Sequence, residues 1–275
     1  MSRSFNYPKG PLPWFSAPND FTGALNKGIH TTETTQRYIF GTRFLTWDGR
    51  VYKYGHAAAE CQSGYGAYNL GLANLSNTLA VAASEGDTSL TITCSSGGYA
   101  ASGVISKDEL AGGFIIMDNG VEDCVQMMII GNDADVSATT VRVDLEWPLW
   151  KDLDTSDYIE ALLNPFAHLH GGITQGSNGK TSVMGVPCRN LVATYNGWFQ
   201  TWGPCWITPS SSGAAAPGYT DGDREAYFLA QGNGSIVSGT TAGVDVGNQH
   251  AGYIIEKDTA GNYAGPPLIM LQLSI

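Results

Sequence analysis

The sequence predicts an all-β protein, in which short-stranded β-barrel or β-sandwich domains follow an extended N-terminal arm. Glycine is frequent, at 35 of 275 residues, and charged residues make up only 14% of the chain, against a usual share of about 25%. Short runs of β-branched and aromatic residues recur along the chain, and Asp-Gly and Asn-Gly steps separate several of them. This alternation of strand-like runs and turn residues favours β-hairpins over amphipathic helices.

The first ordered element is a predicted hairpin over residues 36–59, with its turn at Asp48-Gly49. Such a dipeptide favours a type I′ turn, in which both central residues have positive φ. Apolar side chains occupy both faces of the first arm, so we expect that arm to be covered from two sides. The residues of one face are Tyr38, Phe40 and Phe44, and those of the other are Ile39, Leu45 and Trp47.

Four regions follow from this reading of the chain. Residues 1–35 form the arm, 36–78 the hairpin and a Gly-rich connection, 79–165 a first β domain and 166–275 a second β domain.

In the first domain we predict strands at 79–83, 88–94, 114–117, 121–130, 139–145 and 158–163, with one short helix after the capping-box pattern Ser106 to Glu109. In the second we predict strands at 181–186, 191–194, 198–207, 226–230, 235–237, 252–256 and 268–273, a turn at Asn196-Gly197 and an exposed loop at 210–223.

The arm is rich in both proline and aromatic residues. Its prolines favour extended or polyproline conformations; they are Pro8, Pro11, Pro13 and Pro18. Five aromatic side chains are candidates for partner binding: Phe5, Tyr7, Trp14, Phe15 and Phe21. The arm either lies on a partner or packs on its own domain, and the sequence leaves both interpretations open.

Composition excludes several classes of partner. The formal net charge of −11 and the pI near 4.7 argue against binding to nucleic acid through phosphate contacts. No apolar stretch approaches the roughly 20 residues that span a bilayer, and the N-terminus shows no signal-peptide pattern, so neither membrane insertion nor secretion is expected. Five cysteines, at 61, 94, 124, 188 and 205, show no CxxC spacing, which indicates reduced and mostly buried thiols.

Two sets of residues resemble metal ligands without completing a site. His168 and His170 share a strand face, but no carboxylate or cysteine lies near them in sequence. Oxygen-rich loops of the kind that bind calcium lack the glycine and glutamate of an EF-hand. Their residues are Asp152, Asp154 and Asp157 in one loop and Asn132, Asp133 and Asp135 in the other. Structural hydrogen bonding and turn formation are the favoured roles, so no metal is predicted.

No motif indicates an enzyme. The chain contains neither a GxSxG elbow nor an HExxH pair, and nothing selects two catalytic carboxylates from its 25 acidic residues. We therefore predict no catalytic residue and no cofactor. Trp198 and Trp202, which we place on one face of a strand, could stack a glycan, although core packing is the favoured role.

Several motifs resemble tailed-bacteriophage virion structural proteins. The run GTRFLTWDGRVYKYGHAAA at 41–59 is similar to a segment near the N-terminus of these proteins. Three further pieces follow in the same order. They are the Gly-Gly-aromatic start of a hairpin at 112–116, the Asn-Pro step at 164–166, and GVP at 185–187 followed by YNGWFQTWGP at 195–204.

The resemblance implies a non-enzymatic structural protein, most plausibly a decoration or cement protein on the capsid exterior. Such a protein would be made in the host cytoplasm, bind the major capsid protein and associate with copies of itself, with a trimer favoured. The family pattern carries no catalytic residues. A head- or tail-fibre module that binds host glycans through exposed aromatics is the alternative; a secreted glycan-active enzyme is disfavoured because the chain has neither a signal peptide nor a motif.

Overall fold

The protein is all-β, as the sequence predicts. The structure, a computed structural model, describes residues 28–46, 48–69, 74–93, 105–118, 124–134, 139–171, 182–210, 224–229, 233–239, 248–256 and 267–274. The described residues form two curled sheets and a short 3-10 helix at Gly28–His30.

The strands in chain order are β1 (Arg43–Leu45), β2 (Val51–His56), β3 (Ala67–Asn69), β4 (Asn74–Thr78), β5 (Ser89–Thr93), β6 (Phe114–Asp118), β7 (Cys124–Asn132), β8 (Thr140–Leu145), β9 (Tyr158–Leu162), β10 (Leu169–Gly171), β11 (Val183–Pro187), β12 (Asn196–Trp206), β13 (Glu225–Phe228), β14 (Ile236–Ser238), β15 (Gln249–Glu256) and β16 (Leu268–Gln272).

Ten strands form one sheet around the long strand β12. The order is β10-β3-β11-β12-β16-β15-β13-β14, and the hairpin β1–β2 joins β12 through β2. The sheet curls, because β14 also bridges Pro209 just after β12 and the Gly234 carbonyl accepts a hydrogen bond from the Gly66 amide just before β3. The strands on both sides of the 79–165 region therefore share this sheet.

The other six strands form a smaller sheet in the order β4-β9-β6-β7-β8-β5. Its two ends approach each other through a bridge between Leu79 and Ile92, where the Ala80 amide donates to the Thr91 carbonyl at 2.8 Å. The whole unit is inserted between β3 and β10, which pair with each other in the larger sheet. Antiparallel pairing of the two flanking strands brings the start and the end of the insertion together.

The first hairpin forms, but its turn and its covering differ from the prediction. β1 pairs with β2, with Phe44 opposite Tyr52. Gly49 has a φ of +84°, and its amide donates to the Thr46 carbonyl at 3.0 Å, so Gly49 is the last residue of the turn and not a central residue of a type I′ turn at Asp48-Gly49. Both faces of β2 are covered, whereas on β1, for which the prediction was made, Phe44 is buried and Leu45 is exposed. The first arm is therefore covered on one face only.

Several other predictions are wrong in detail. Residues 61–77 were expected to form a loop but contain β3 and β4, and residues 191–194 form a turn and not a strand. The turn before β12 lies at 192–195, where Thr194 has a φ of +72°, so Asn196-Gly197 begins the strand. Consecutive turns replace the predicted helix after Ser106. The cause is Asp108, which adopts a φ of +60°, a value that no α-helix accommodates.

Each sheet encloses its own apolar core. Among the described residues, the core of the small sheet contains 18 buried ones, including Leu90 and Ile92 of β5. The large sheet holds two clusters of mixed aliphatic and aromatic residues and a third, wholly aromatic one, which we call the aromatic cluster: Phe44, Tyr52, Tyr54 and Trp198. The aromatic cluster lies where β1, β2 and β12 meet.

Part of the predicted arm is described and packs on its own domain. Ile29 contacts the aromatic cluster, and Glu33 bridges Asn196 at the start of β12. The other expectations for the arm fall outside the described residues, as do Trp47, Asp135, Cys94 and most of the 210–223 loop.

Candidate interaction surface

The four sequence motifs meet in one structural framework. β2, from the first motif, pairs with β12, from the last motif, and places Tyr54 opposite Trp198. The middle motifs meet at Asn164, whose Nδ2 donates to the Gly112 carbonyl at 2.6 Å and whose Oδ1 accepts from the Phe166 amide at 2.8 Å. The motif residues thus have structural roles, although they lie far apart in the sequence.

Two glycines complete this junction. A Cβ at Gly41 would lie 2.6 Å from Asn164 Nδ2, and one at Gly112 would lie 2.6 Å from Ile39 Cγ2. Both glycines have φ near +80°, a region that residues with a Cβ avoid. The segment before β1 can therefore lie directly against the turn before β6.

Trp198 and Trp202 do not form the platform that the sequence suggested. Trp198 is 3% exposed and contacts the rings of Tyr38, Phe44 and Tyr54, so it has no free face for a sugar. A β-bulge after Gln200 places Trp202 opposite Val51, whereas Trp198 lies opposite Tyr54. Because cross-strand partners share a face and Val51 and Tyr54 lie on opposite faces of β2, the two tryptophans lie on opposite faces of β12.

Beyond the bulge, three adjacent strands carry exposed apolar side chains on their outer side. Register places Trp206 opposite Leu268, Pro204 opposite Met270, and Met270 opposite Tyr253. We call these five residues, together with Ile255 in the bulge of β15, the apolar face. Its large exposed side chains are Trp206 (46%), Tyr253 (47%), Ile255 (44%) and Leu268 (37%).

The apolar face is backed by the interior of the larger sheet. Cys205, Ile269 and Leu271, which alternate with its residues, are buried in one of the two mixed clusters on the inner side. The Trp206 ring lies directly against Gly64, where a Cβ would overlap it. A ring held in this way presents a fixed surface, which lowers the entropic cost of binding.

Few charges surround the apolar face. Among the described residues of β12, β13, β15 and β16 and of residue 224, two carboxylates and one guanidinium occur, on Glu225, Glu256 and Arg224. Glu256 lies opposite Leu268, and Glu225 lies opposite Tyr253. Interface cores are typically depleted in charge and enriched in aromatic residues and methionine, which describes this surface.

The histidine pair lies in the larger sheet without a third ligand. The rings of His168 and His170 are 4.9 Å apart, and His56 Nδ1 lies 2.9 Å from Asn196 Oδ1. Burial, reinforced by His56, lowers the pKa of His168, and burial, reinforced by His168, lowers that of His170. Among the residues that the structure describes, no three His, Cys, Asp or Glu side chains converge closely enough to hold a metal ion.

The oxygen-rich loops use their side chains to hold turns. Asp154 Oδ1 accepts hydrogen bonds from the Ser156 hydroxyl and from the Ser156 amide, the latter at 2.6 Å, and these two bonds lower the pKa of Asp154. Asp152 Oδ1 accepts from the Glu85 amide at 2.8 Å, which joins two loops. Asn132 lies at the end of β7 and not in a loop, and its Oδ1 accepts from the Leu110 amide at 2.8 Å. The bonds of Asp152 and Asp154 are those of turn-forming residues, the role that the sequence favours.

The described cysteines are free thiols. Burial raises the pKa of Cys61 and of Cys205 to about 12 and also raises that of Cys188, while Cys124 is exposed. A thiol with a raised pKa is a poor nucleophile at neutral pH, so Cys61, Cys188 and Cys205 behave as apolar core residues.

The chain matches no protein family, no curated protein sequence and no solved structure. In the described part of the chain, no helix has the length and hydrophobicity that crossing a membrane requires.

Sequence reasoning missed the apolar face. The alternation Leu268, Met270 against Ile269, Leu271 was visible and showed apolar residues on both sides of one strand. That pattern indicates a strand covered on two faces. Which apolar residues of β12 and β15 lie beside β16 depends on a register that the sequence does not reveal.

Proposed function

We propose that this chain is a non-enzymatic structural protein of a phage particle. In this role it is made in the host cytoplasm, attaches to the capsid exterior, and stabilises the shell by binding the major capsid protein and copies of itself, with a trimer as the favoured assembly. The resemblance of its motifs to tailed-bacteriophage virion proteins suggests this role.

The apolar face is the observation that carries the proposal. Four of its side chains are among the exposed large hydrophobic residues, and they lie on three adjacent strands. Contiguous apolar surface of this kind marks sites of protein association, whereas scattered exposed hydrophobic residues need no explanation. Burying such area stabilises a complex by about 25 cal/mol per Å² before the costs of association.

The structural framework is consistent with the same role. The motif residues form a rigid junction at Asn164 and a central strand pairing at Trp198. A particle component needs a defined shape that holds its contact surfaces in place, and this framework supplies one.

The glycan-binding alternative now depends on other residues. Trp206 and Tyr253 present exposed rings, whereas Trp198 is buried. A sugar site also needs a few well-placed polar groups that fix the hydroxyls, and the side chains between the two rings on the paired strands are Leu268 and Met270. The surface therefore fits a protein partner better than a carbohydrate.

Particle binding tests the proposed function directly. Phage particles assembled without this chain would be mixed with the purified protein, sedimented and imaged by electron cryo-microscopy. We expect saturable binding and added density at repeated positions on the outer shell. Protein that stays in the supernatant, or density confined to the particle interior, would contradict the proposal.

A further inference from the structure

We propose that the apolar face binds the proline-rich segment, residues 1–27, of a neighbouring copy of this chain. The inference rests on the proposed function, because it explains how copies on the particle would be linked. It follows from the chemistry of the segment, the chemistry of the face, and the side of the sheet on which the segment begins.

The segment has the composition of a ligand for aromatic surfaces. It contains PKGPLP at 8–13, in which Pro8 and Pro11 have the PxxP spacing, followed directly by Trp14 and Phe15. Prolines at this spacing favour the polyproline II conformation. Because the free segment already has little conformational entropy, it loses little entropy when it binds. Domains that recognise such segments do so with exposed aromatic side chains.

The apolar face supplies matching aromatic side chains. Trp206 and Tyr253 stand at its two sides, and Leu268 and Met270 lie between them through the cross-strand pairs of β16. Gly64 supports the Trp206 ring from behind. Aromatic residues and methionine are the residue types most enriched at the cores of protein interfaces.

Charge favours the same pairing. The segment is basic, with Arg3, Lys9 and Lys27 against Asp20, although the whole chain has a formal charge of −11. The exposed carboxylates of Glu225 and Glu256 flank the face, and Arg224 is the one guanidinium among the described residues of β12, β13, β15, β16 and residue 224. A basic segment is attracted to an acidic body, which steers association.

Geometry indicates that the segment comes from another copy. Residue 28 follows the segment directly, and Ile29 packs against the aromatic cluster around Trp198. Trp198 and Trp202 lie on opposite faces of β12, and unbroken register from Trp202 to Trp206 keeps the apolar face on the side of Trp202. The segment therefore begins on the side of the sheet opposite to its own apolar face, and binding to the face of a neighbouring copy does not require it to pass around the edge of its own sheet.

The test uses three full-length variants. A face variant carries Tyr253→Ser and Leu268→Ser, a segment variant carries Trp14→Ser and Phe15→Ser, and a control variant carries Trp147→Ser. Trp147 is 66% exposed and lies in the loop after β8, away from the apolar face. Circular dichroism and thermal melting verify that each variant is folded before its self-association is measured by sedimentation velocity.

We expect the wild type and the control variant to self-associate. The face variant and the segment variant should each associate at least about tenfold more weakly, since aromatic anchors dominate interface energetics. Mixing these two variants should restore a complex, because the intact face of one can bind the intact segment of the other.

Three results would overturn the inference: a wild type that remains monomeric, variants that associate as well as the wild type, or a mixture of the two variants that forms no complex. The last result would show that segment and face act within one chain. Protein that binds particles without this self-association would leave the proposed function standing, and self-association without particle binding would remove the function alone.

Discussion

The side chain of Asn164 donates a 2.6 Å hydrogen bond to the carbonyl oxygen of Gly112 and thereby connects the end of β9 to the turn before β6. β9 and β6 are paired neighbours in the small sheet, so the bond extends their connection at the point where the chain returns to the larger sheet. The same side chain accepts a hydrogen bond from the Phe166 amide and lies against Gly41. One buried amide thus holds three separate segments in register.

Replacing Asn164 with alanine should destabilise the protein by about 2–4 kcal/mol, because it leaves the buried Gly112 carbonyl and Phe166 amide without their partner. Chemical denaturation of the purified variant measures this loss. Asn190→Ala is the matched control, since the Asn190 side chain accepts two hydrogen bonds from Ser63 at an exposed site and should cost less than about 1 kcal/mol. Equal losses for the two variants would contradict the role given to Asn164.

Gly41→Ala should destabilise more than Gly86→Ala. Both glycines have positive φ, at +81° and +91°, so both variants have the same backbone strain of about 1 kcal/mol. A Cβ at Gly41 also meets Asn164 Nδ2 at 2.6 Å, whereas a Cβ at Gly86 has nothing within 4 Å. The difference in the unfolding free energies of the two variants therefore measures the energetic cost of the contact between a Cβ at residue 41 and the Asn164 side chain. A difference of zero would show that Asn164 moves aside freely.

Trp198→Ala should cost about 3–5 kcal/mol, as truncation of a buried aromatic side chain usually does. Trp198 is enclosed by Tyr38, Phe44 and Tyr54. Trp147→Ala, at an exposed position, should change stability by less than about 0.5 kcal/mol. Thermal and chemical unfolding of both variants check the contrast; a small effect at Trp198 would mean that the aromatic cluster is loosely packed.

The histidine pair should make the protein less stable as the pH falls below about 6.5. Burial lowers the folded-state pKa of His168 and of His170 below their usual value of 6.5. The unfolded chain then binds protons that the folded chain excludes, so their contribution to stability is lost through this range and levels off below the folded pKa. After burial, the coulombic interaction with His56 is the second cause that lowers the pKa of His168.

The measurement is the unfolding free energy between about pH 7 and pH 5, for the wild type and for a variant with His168→Gln and His170→Gln. The variant should show a shallower decline. The lowered pKa values of Asp48 and Asp154 cause losses only below their usual value of 3.8, outside this window. An unchanged slope in the variant would assign the decline to other groups.

Calcium should not stabilise the protein through the loop that contains Asp152 and Asp154. Their carboxylates already accept hydrogen bonds from the Glu85 and Ser156 amides. The melting temperature should be the same in calcium and in EDTA, and Asp154→Ala should lower it in both by the same amount. A rise in calcium that disappears in the variant would reveal a site, because a ligand that binds only the folded state raises its stability.

The fold class and most strands were predictable because side-chain alternation and turn residues are local signals. Residues 88–94, 139–145 and 158–163 were predicted as strands and lie close to β5, β8 and β9. β3 and β4 were missed because they are short and lie in a Gly-rich segment with low strand propensity. Pairing with neighbouring strands stabilises them instead. The capping bond expected after Ser106 does form, with the Ser106 amide donating to the Glu109 carboxylate at 2.6 Å. The helix nevertheless does not form, because Asp108 has a positive φ that is incompatible with helical geometry.

The sequence by itself determined that this protein is a turn-rich, weakly charged, acidic β protein, since composition, hairpin signals and strand patterns depend on neighbouring residues alone. Only the tertiary structure decided that one sheet is inserted into the other, and that a bulge after Gln200 sends Trp198 into the core and Trp206 to the surface. A shift of one residue reverses every side chain beyond it. The residue pattern of a single strand does not reveal that shift, because the shift arises from pairing with strands that lie distant in the sequence.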